Sequence, residues 1–213
     1  DVSDVLEVTE TELKGLPDDY RSRLKRTAKG GYLVTMNYPD YNPFMENAES
    51  DKARRCLYQI FNNRCAGTNV KLLEKSITLR REVAKLLGYD SYADYVLNDR
   101  MAKSSETVFA FLERTKAKLT IKALNELGAL LELKGNGEKA LNAWEIPYYT
   151  NLLRKTKFSI DHQKIREYFP LETVLKGLFG VFGELFGVEF VPKPLPTWHK
   201  DVRAYEVRSA DGA

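Results

Sequence analysis

Two histidines, His162 and His199, and two cysteines, Cys56 and Cys65, are all the imidazole and thiol chemistry this chain has. A zinc site built on a helix takes two histidines one turn apart, so that both face the ion. Neither histidine has a second at that spacing, and no zinc pair can be drawn. His162 falls in the first turn of an expected short helix and His199 in a proline-rich linker beside Trp198. Both read as surface or capping residues. A cysteine nucleophile needs an adjacent base, and neither cysteine has a histidine near it in sequence. The carboxylates are many and scattered, as on exposed helix faces. In "DVRAYEVRSADG", Asp201, Arg203 and Glu206 read as the polar side of a strand. Residue type and spacing alone therefore assign no catalytic, cofactor-binding or metal-ligating residue.

Phosphate chemistry fares no better. The densest basic run, "RSRLKRTAKGG" (residues 21–31), reads as a solvated helix face rather than an anion patch. With 33 basic and 30 acidic side chains, the net charge of +3 is too even to argue for nucleic acid. No basic stretch carries the interleaved aromatics of a stacking platform. Gly177, Gly180, Gly183 and Gly187 lie along one helical pattern. A dinucleotide cradle needs its glycines in a strand-to-helix turn, so these read as small residues that permit close packing.

Those glycines sit in "REYFPLETVLKGLFGVFGELFGVEF" (residues 166–190), the most apolar stretch of the chain. It contains Glu172, Lys176 and Glu184 and is too short to cross a bilayer. Leu171, Val174, Leu175, Leu178, Phe182, Leu185 and Phe186 hold helical core positions between Pro170 and Gly187. A buried helix is expected there.

The rest of the chain is also mainly helical in pattern. A helix is expected in "LPDDYRSRLKRT", with Pro17 near its first position. A short strand follows in "GGYLVTMNYP", with Tyr32, Val34 and Met36 on one side, then a short helix in "DYNPFMENA". Ser50 opens a long helical tract in which Val70, Leu73, Ile77, Ala84 and Leu87 form one apolar stripe, ended by Gly88. Ser91 caps "SYADYVLNDR", and Ser104 or Ser105 caps a helix running to about Lys134. The expected buried side of that helix is Val108, Phe111, Leu112, Leu119, Ala123, Leu127 and Leu131. "KGNGEK" is a loop, and Asn142 caps the next helix, with Pro147 in its first turn. "SIDHQKIREYF" reads as a further short helix, "PKPLPTW" as a linker and "DVRAYEVRSADG" as a strand.

Cys56 and Cys65, nine apart in a tract read as one helix, would sit on opposite faces about 13 Å apart along the axis. A disulfide reaches only about 7 Å between Cα atoms. Reduced thiols and a cytoplasmic location are expected. The acidic opening "DVSDVLEVTETEL" has no signal-peptide pattern, and a first residue of Asp is expected of a processed or excised chain.

Taken in order, "ELKGLPDD", "LVTMNYPDYNPFM", "ARRCLYQIFNNRC", "LRREVAKLLGYDSYADYVLNDRMAKS", "AWEIPYY", the apolar stretch above and "WHKDVRAYEV" resemble the thimet oligopeptidase family across nearly the whole chain. That family of zinc metallo-oligopeptidases includes oligopeptidase A, dipeptidyl carboxypeptidase, neurolysin and saccharolysin. The resemblance implies a mainly α fold, with two lobes walling a channel that admits short peptides and one or two short strands in this part. It implies a zinc held by an H-E-x-x-H helix and a downstream glutamate, the motif's own glutamate activating the attacking water. This chain contains no H-E-x-x-H. Carried over position by position, the resemblance places no catalytic or metal residue here. It implies an internal segment lying before the catalytic part, with residues 1–191 as helical channel wall. Residues 192–213 would then be a linker and the first strand of a catalytic region. The partners implied are short peptides and the remaining lobe, with neither nucleic acid nor membrane. The alternative is a non-catalytic binding or scaffold module derived from the peptidase wall. Strand "RAYEV" is expected to belong to a sheet whose other strands are mostly absent, "LVTMNYP" to miss partners, and helix faces such as residues 171–186 to be undercovered.

Overall fold

A computed structural model describes residues 4–135 and 137–209. It divides into two compact units, residues 1–159 and 160–213. The mainly α expectation holds, with nine α-helices and five short strands among the described residues.

The first unit begins with a strand that the sequence reading missed, β1 (Val5–Val8). Four residues are too few for alternation to stand out. A 3-10 turn (Thr11–Leu13) and α1 (Asp18–Arg23) follow. Helix α1 is shorter than expected, because Leu24 is extended and β2 (Lys25–Arg26) joins a sheet. Next come β3 (Tyr32–Thr35), α2 (Tyr38–Asn47) and α3 (Asp51–Asn62). Strand β3 is central in an antiparallel sheet of order β1-β3-β2, pairing Val5 with Thr35 and Lys25 with Leu33. The expectation that it lacks partners is thus corrected. Its alternation is as read: Tyr32, Val34 and Met36 enter the core with Val8, Leu13, Tyr20, Phe44, Met45 and Leu57.

Ser50 caps α3, its hydroxyl accepting from the Ala53 amide. The long tract then breaks. Cys65 turns left-handed at φ 57°, and α4 (Ala66–Leu86) sets off anew. Cys56 and Cys65 therefore do not share a helix, and they form no disulfide. Ser91 caps α5 (Tyr92–Leu97), and Ser104 caps the 30-residue α6 (Ser105–Lys134). Gly135 ends α6 at φ 67°. Helix α7 (Ile146–Lys157) begins one turn later than expected, with Glu145 rather than Asn142 at its cap position.

Two burial expectations are corrected here. On α4 only Ala84 is buried, while Val70, Leu73, Ile77 and Leu87 are exposed. On α6 only Leu130 is buried, and Phe111, Leu112 and Leu119 are more than half or about half exposed. The periodicity that built both helices is real, but nothing among the described residues of this unit covers those faces.

The second unit holds α8 (His162–Arg166), α9 (Leu171–Phe186), β4 (Val188–Pro192) and β5 (Tyr205–Ser209). Strands β4 and β5 pair antiparallel from Val188↔Ser209 to Pro192↔Tyr205. So β5 has one partner, in a strand that follows α9 directly and that the sequence did not announce. Phe179 fastens α9 to this hairpin, its ring 4.6 Å from Phe190 and 4.7 Å from Tyr205. Gly183 also approaches closely: an added Cβ would lie 3.0 Å from the Val188 carbonyl. The expectation of a buried helix fails, however. No residue of α9 is buried, and Leu185 is 70% exposed.

Candidate functional site

Within each unit, the described side chains that could do chemistry do not form a cluster of metal-ligating groups. His199 is exposed, and its Nδ1 accepts the Asp201 amide at 3.2 Å. The Asp201 carboxylate lies 3.6 Å from the same nitrogen. His162 begins α8, and its expected surface or capping role lies outside the described side chains. Cys56 is half-buried on α3 and Cys65 exposed at the start of α4. Arg203 makes a two-pronged ion pair with Glu172, which holds that carboxyl below its usual range. Glu206 pairs with Lys193 and Arg208. In the basic run, Arg21 bonds Glu10, Arg23 bonds Asp40 and the Pro39 carbonyl, and Arg26 bonds the Tyr32 hydroxyl. These charges serve the fold. No cluster of three or more His, Cys, Asp or Glu groups suited to a metal occurs among the described residues.

Two buried polar networks that the sequence did not announce hold the first unit together. Arg54 on α3 is 2% exposed and donates to the carbonyls of Ala48 and Glu49 and to Asp51. The Tyr148 ring of α7 lies 4.2 Å from its guanidinium carbon. Asp51 also accepts from the Trp144 indole at 3.1 Å, and Asn151 on α7 donates to the Glu46 carbonyl of α2. The second network closes the hairpin of α6 and α7. Lys134, in the last turn of α6, lies 2.8 Å from Glu145, and both side chains are only 6% exposed. Burial pushes the Glu145 carboxyl up, but Lys134 and two donors from Asn142 outweigh it and hold the group below its ordinary value. Lys134 also bonds Glu138 and is raised by both acids.

That hairpin frames a largely apolar cleft with charged residues around it. It encloses about 430 Å³ between α6 and α7. Leu130, Leu153 and Phe158 are among its apolar lining residues, and Lys122, Glu126, Arg154 and Lys157 are its charged ones. Lys122 is balanced by Glu126 at 3.7 Å. Helical periodicity found both helices; the cleft depends on how they pack.

No helix among the described residues is long and apolar enough to cross a membrane. Compared with known proteins, the chain is 34% identical to saccharolysin of Saccharomyces cerevisiae over 95% of its length. It is 32% identical to a probable thimet oligopeptidase of Arabidopsis thaliana over 96% of its length, and 30% to oligopeptidase A of Escherichia coli over 93%. It spans only 31%, 29% and 31% of those three relatives. The profile of peptidase family M3 matches residues 44–213, from the middle of α2 through both units. A match of that extent, joined to relatives aligned along almost the entire chain, shows that this chain belongs to peptidase family M3.

Proposed function

We propose that this chain is a channel-wall segment of a zinc-dependent, cytoplasmic oligopeptidase that hydrolyses short peptides, with the catalytic residues carried elsewhere in the protein. The observation that carries the reading is the family match over residues 44–213. Its relatives are named as oligopeptidases, and one as a probable cytosolic oligopeptidase A. The described residues do not fit a zinc ion. The described histidine, His199, has one carboxylate within reach and no second imidazole, and no cluster of ligands forms around it. A tetrahedral site needs three or four such groups converging. No chemical step is therefore routed through this chain. In this reading residues 1–191 supply wall and scaffold, and residues 192–213 lead by a proline-rich linker into the catalytic region. The exposed apolar faces of α4, α6 and α9 support a role as wall, since such faces pack against other chain in a larger protein.

The test is cleavage of a quenched fluorescent peptide, with and without o-phenanthroline. The full-length protein should cleave, the chelator should abolish cleavage, and the 213-residue chain alone should do nothing. A full-length protein that binds the peptide without cutting it would favour the scaffold reading. Chelator-sensitive cleavage by the 213 residues alone would overturn the assignment of chemistry to other sequence.

A further inference from the structure

The cleft between α6 and α7 combines an imbalance of charge with apolar lining. Lys122 is balanced by Glu126. Arg154 and Lys157 line the same cleft and make no ion pair recorded among the described residues, although Lys157 approaches the Phe158 ring at 5.9 Å. Both lie in the last turn of α7, where cations favour the helix dipole. The dipole accounts for basic residues at that end, but not for two of them lining one cleft with Leu130, Leu153 and Phe158. Lys155, the third cation of the turn, is turned elsewhere and bonds Asn47 on α2.

The walls are also held in place. The buried Lys134–Glu145 pair ties the end of α6 to the start of α7, so the two walls of the cleft do not splay independently. At about 430 Å³ the cleft lies within the range of small-ligand sites, large enough for a residue or two and too small for a folded chain. A ligand suited to it has a compact apolar body and a terminal anion.

We propose that this cleft binds the C-terminal end of a short peptide. The apolar last side chain would lie on Leu130, Leu153 and Phe158, and the free carboxylate between Arg154 and Lys157. That the carboxylate belongs to a peptide rests on the peptidase reading above; that a carboxylate with an apolar body fits rests on the cleft itself. No metal-ligand cluster occurs among the described residues, so the cleft would hold peptide, not cut it.

Photo-crosslinking tests it in the full-length protein. The probe is a pentapeptide with benzoylphenylalanine next to a C-terminal leucine, made as the free acid and as the amide, with labelled sites mapped by mass spectrometry. The free acid should label residues 122–130 and 150–158. The amide, or Arg154→Glu with Lys157→Glu, should reduce that label about tenfold, the loss of one good charge-assisted contact. Arg154→Lys with Lys157→Arg should keep it. Both residues are exposed, so an unchanged melting temperature excludes misfolding as the cause. Equal labelling by acid and amide, or labelling only elsewhere, overturns the proposal. So does competition by decanoate as effective as that by unlabelled peptide, which would make the cleft a site for any amphipathic carboxylate. Cleavage of the quenched peptide by the same preparation reports separately on the peptidase reading. Active enzyme with an unlabelled cleft sinks the site alone, and a labelled cleft without cleavage sinks the peptidase reading alone.

Discussion

Gly15 sits at φ +90°, and a Cβ built there would meet the Asn47 carbonyl at 2.3 Å. Both the turn and the close approach require glycine. Gly15→Ala should lower stability by about 2–3 kcal/mol, from left-handed strain and overpacking together. A urea titration would show it as a lower midpoint with unchanged slope; a midpoint within error of the parent's would mean the α2–α3 corner yields freely. Arg54 teaches the opposite lesson about legibility. In "ARRCLYQ" it looks like any solvated helix arginine, yet it is buried, with only its Nε left without a partner. Its partners Ala48 and Glu49 are close in sequence, but Tyr148 is not. A residue's burial is set by what arrives from elsewhere, and one-dimensional pattern does not contain that.

At the scale of elements, the hairpin of α6 and α7 depends on Lys134 and Glu145, eleven residues apart across a loop. The folded Glu145 carboxyl lies below its ordinary value of 4.5. Its contribution is therefore fully present above that ordinary value and is lost as pH falls through the lowered folded one. Glu145→Gln should cost about 2 kcal/mol at pH 7, because a buried lysine loses one of its two acidic partners. The gap between variant and parent should narrow as pH falls below 4.5, in urea titrations at each pH. A gap independent of pH would show that shape, not charge, is what Glu145 supplies. The caps at Ser50, Ser91 and Ser104 were readable, because a cap is a contact over three residues. The Lys134–Glu145 pair was not, since nothing in local spacing says that two helices turn back on one another.

For the whole molecule, the exposed stripes carry the argument. Leu73 on α4, Leu119 on α6 and Leu185 on α9 are each more than half exposed, on helices whose sequences are patterned for burial. Hydrophobic patches on this scale mark surfaces that other chain covers, and the relatives are about three times longer than the segment matched here. The 213-residue chain alone should bind a hydrophobic dye strongly and associate as its concentration rises, by light scattering, whereas the full-length protein should do neither. A monodisperse, cooperatively melting monomer with no dye binding would show that these faces need no partner.

The sequence by itself determined helix content, most caps, the alternation of β3 and the family, because each is written in local spacing or in ordered motifs. Tertiary structure alone decided that β3 is central, that α3 and α4 part at Cys65, and that β4 completes a hairpin with β5. It also decided which apolar faces are covered. Periodicity specifies that a helix has a face to bury, while burial needs a second surface, and that surface comes from residues far away in the chain or from beyond the segment described.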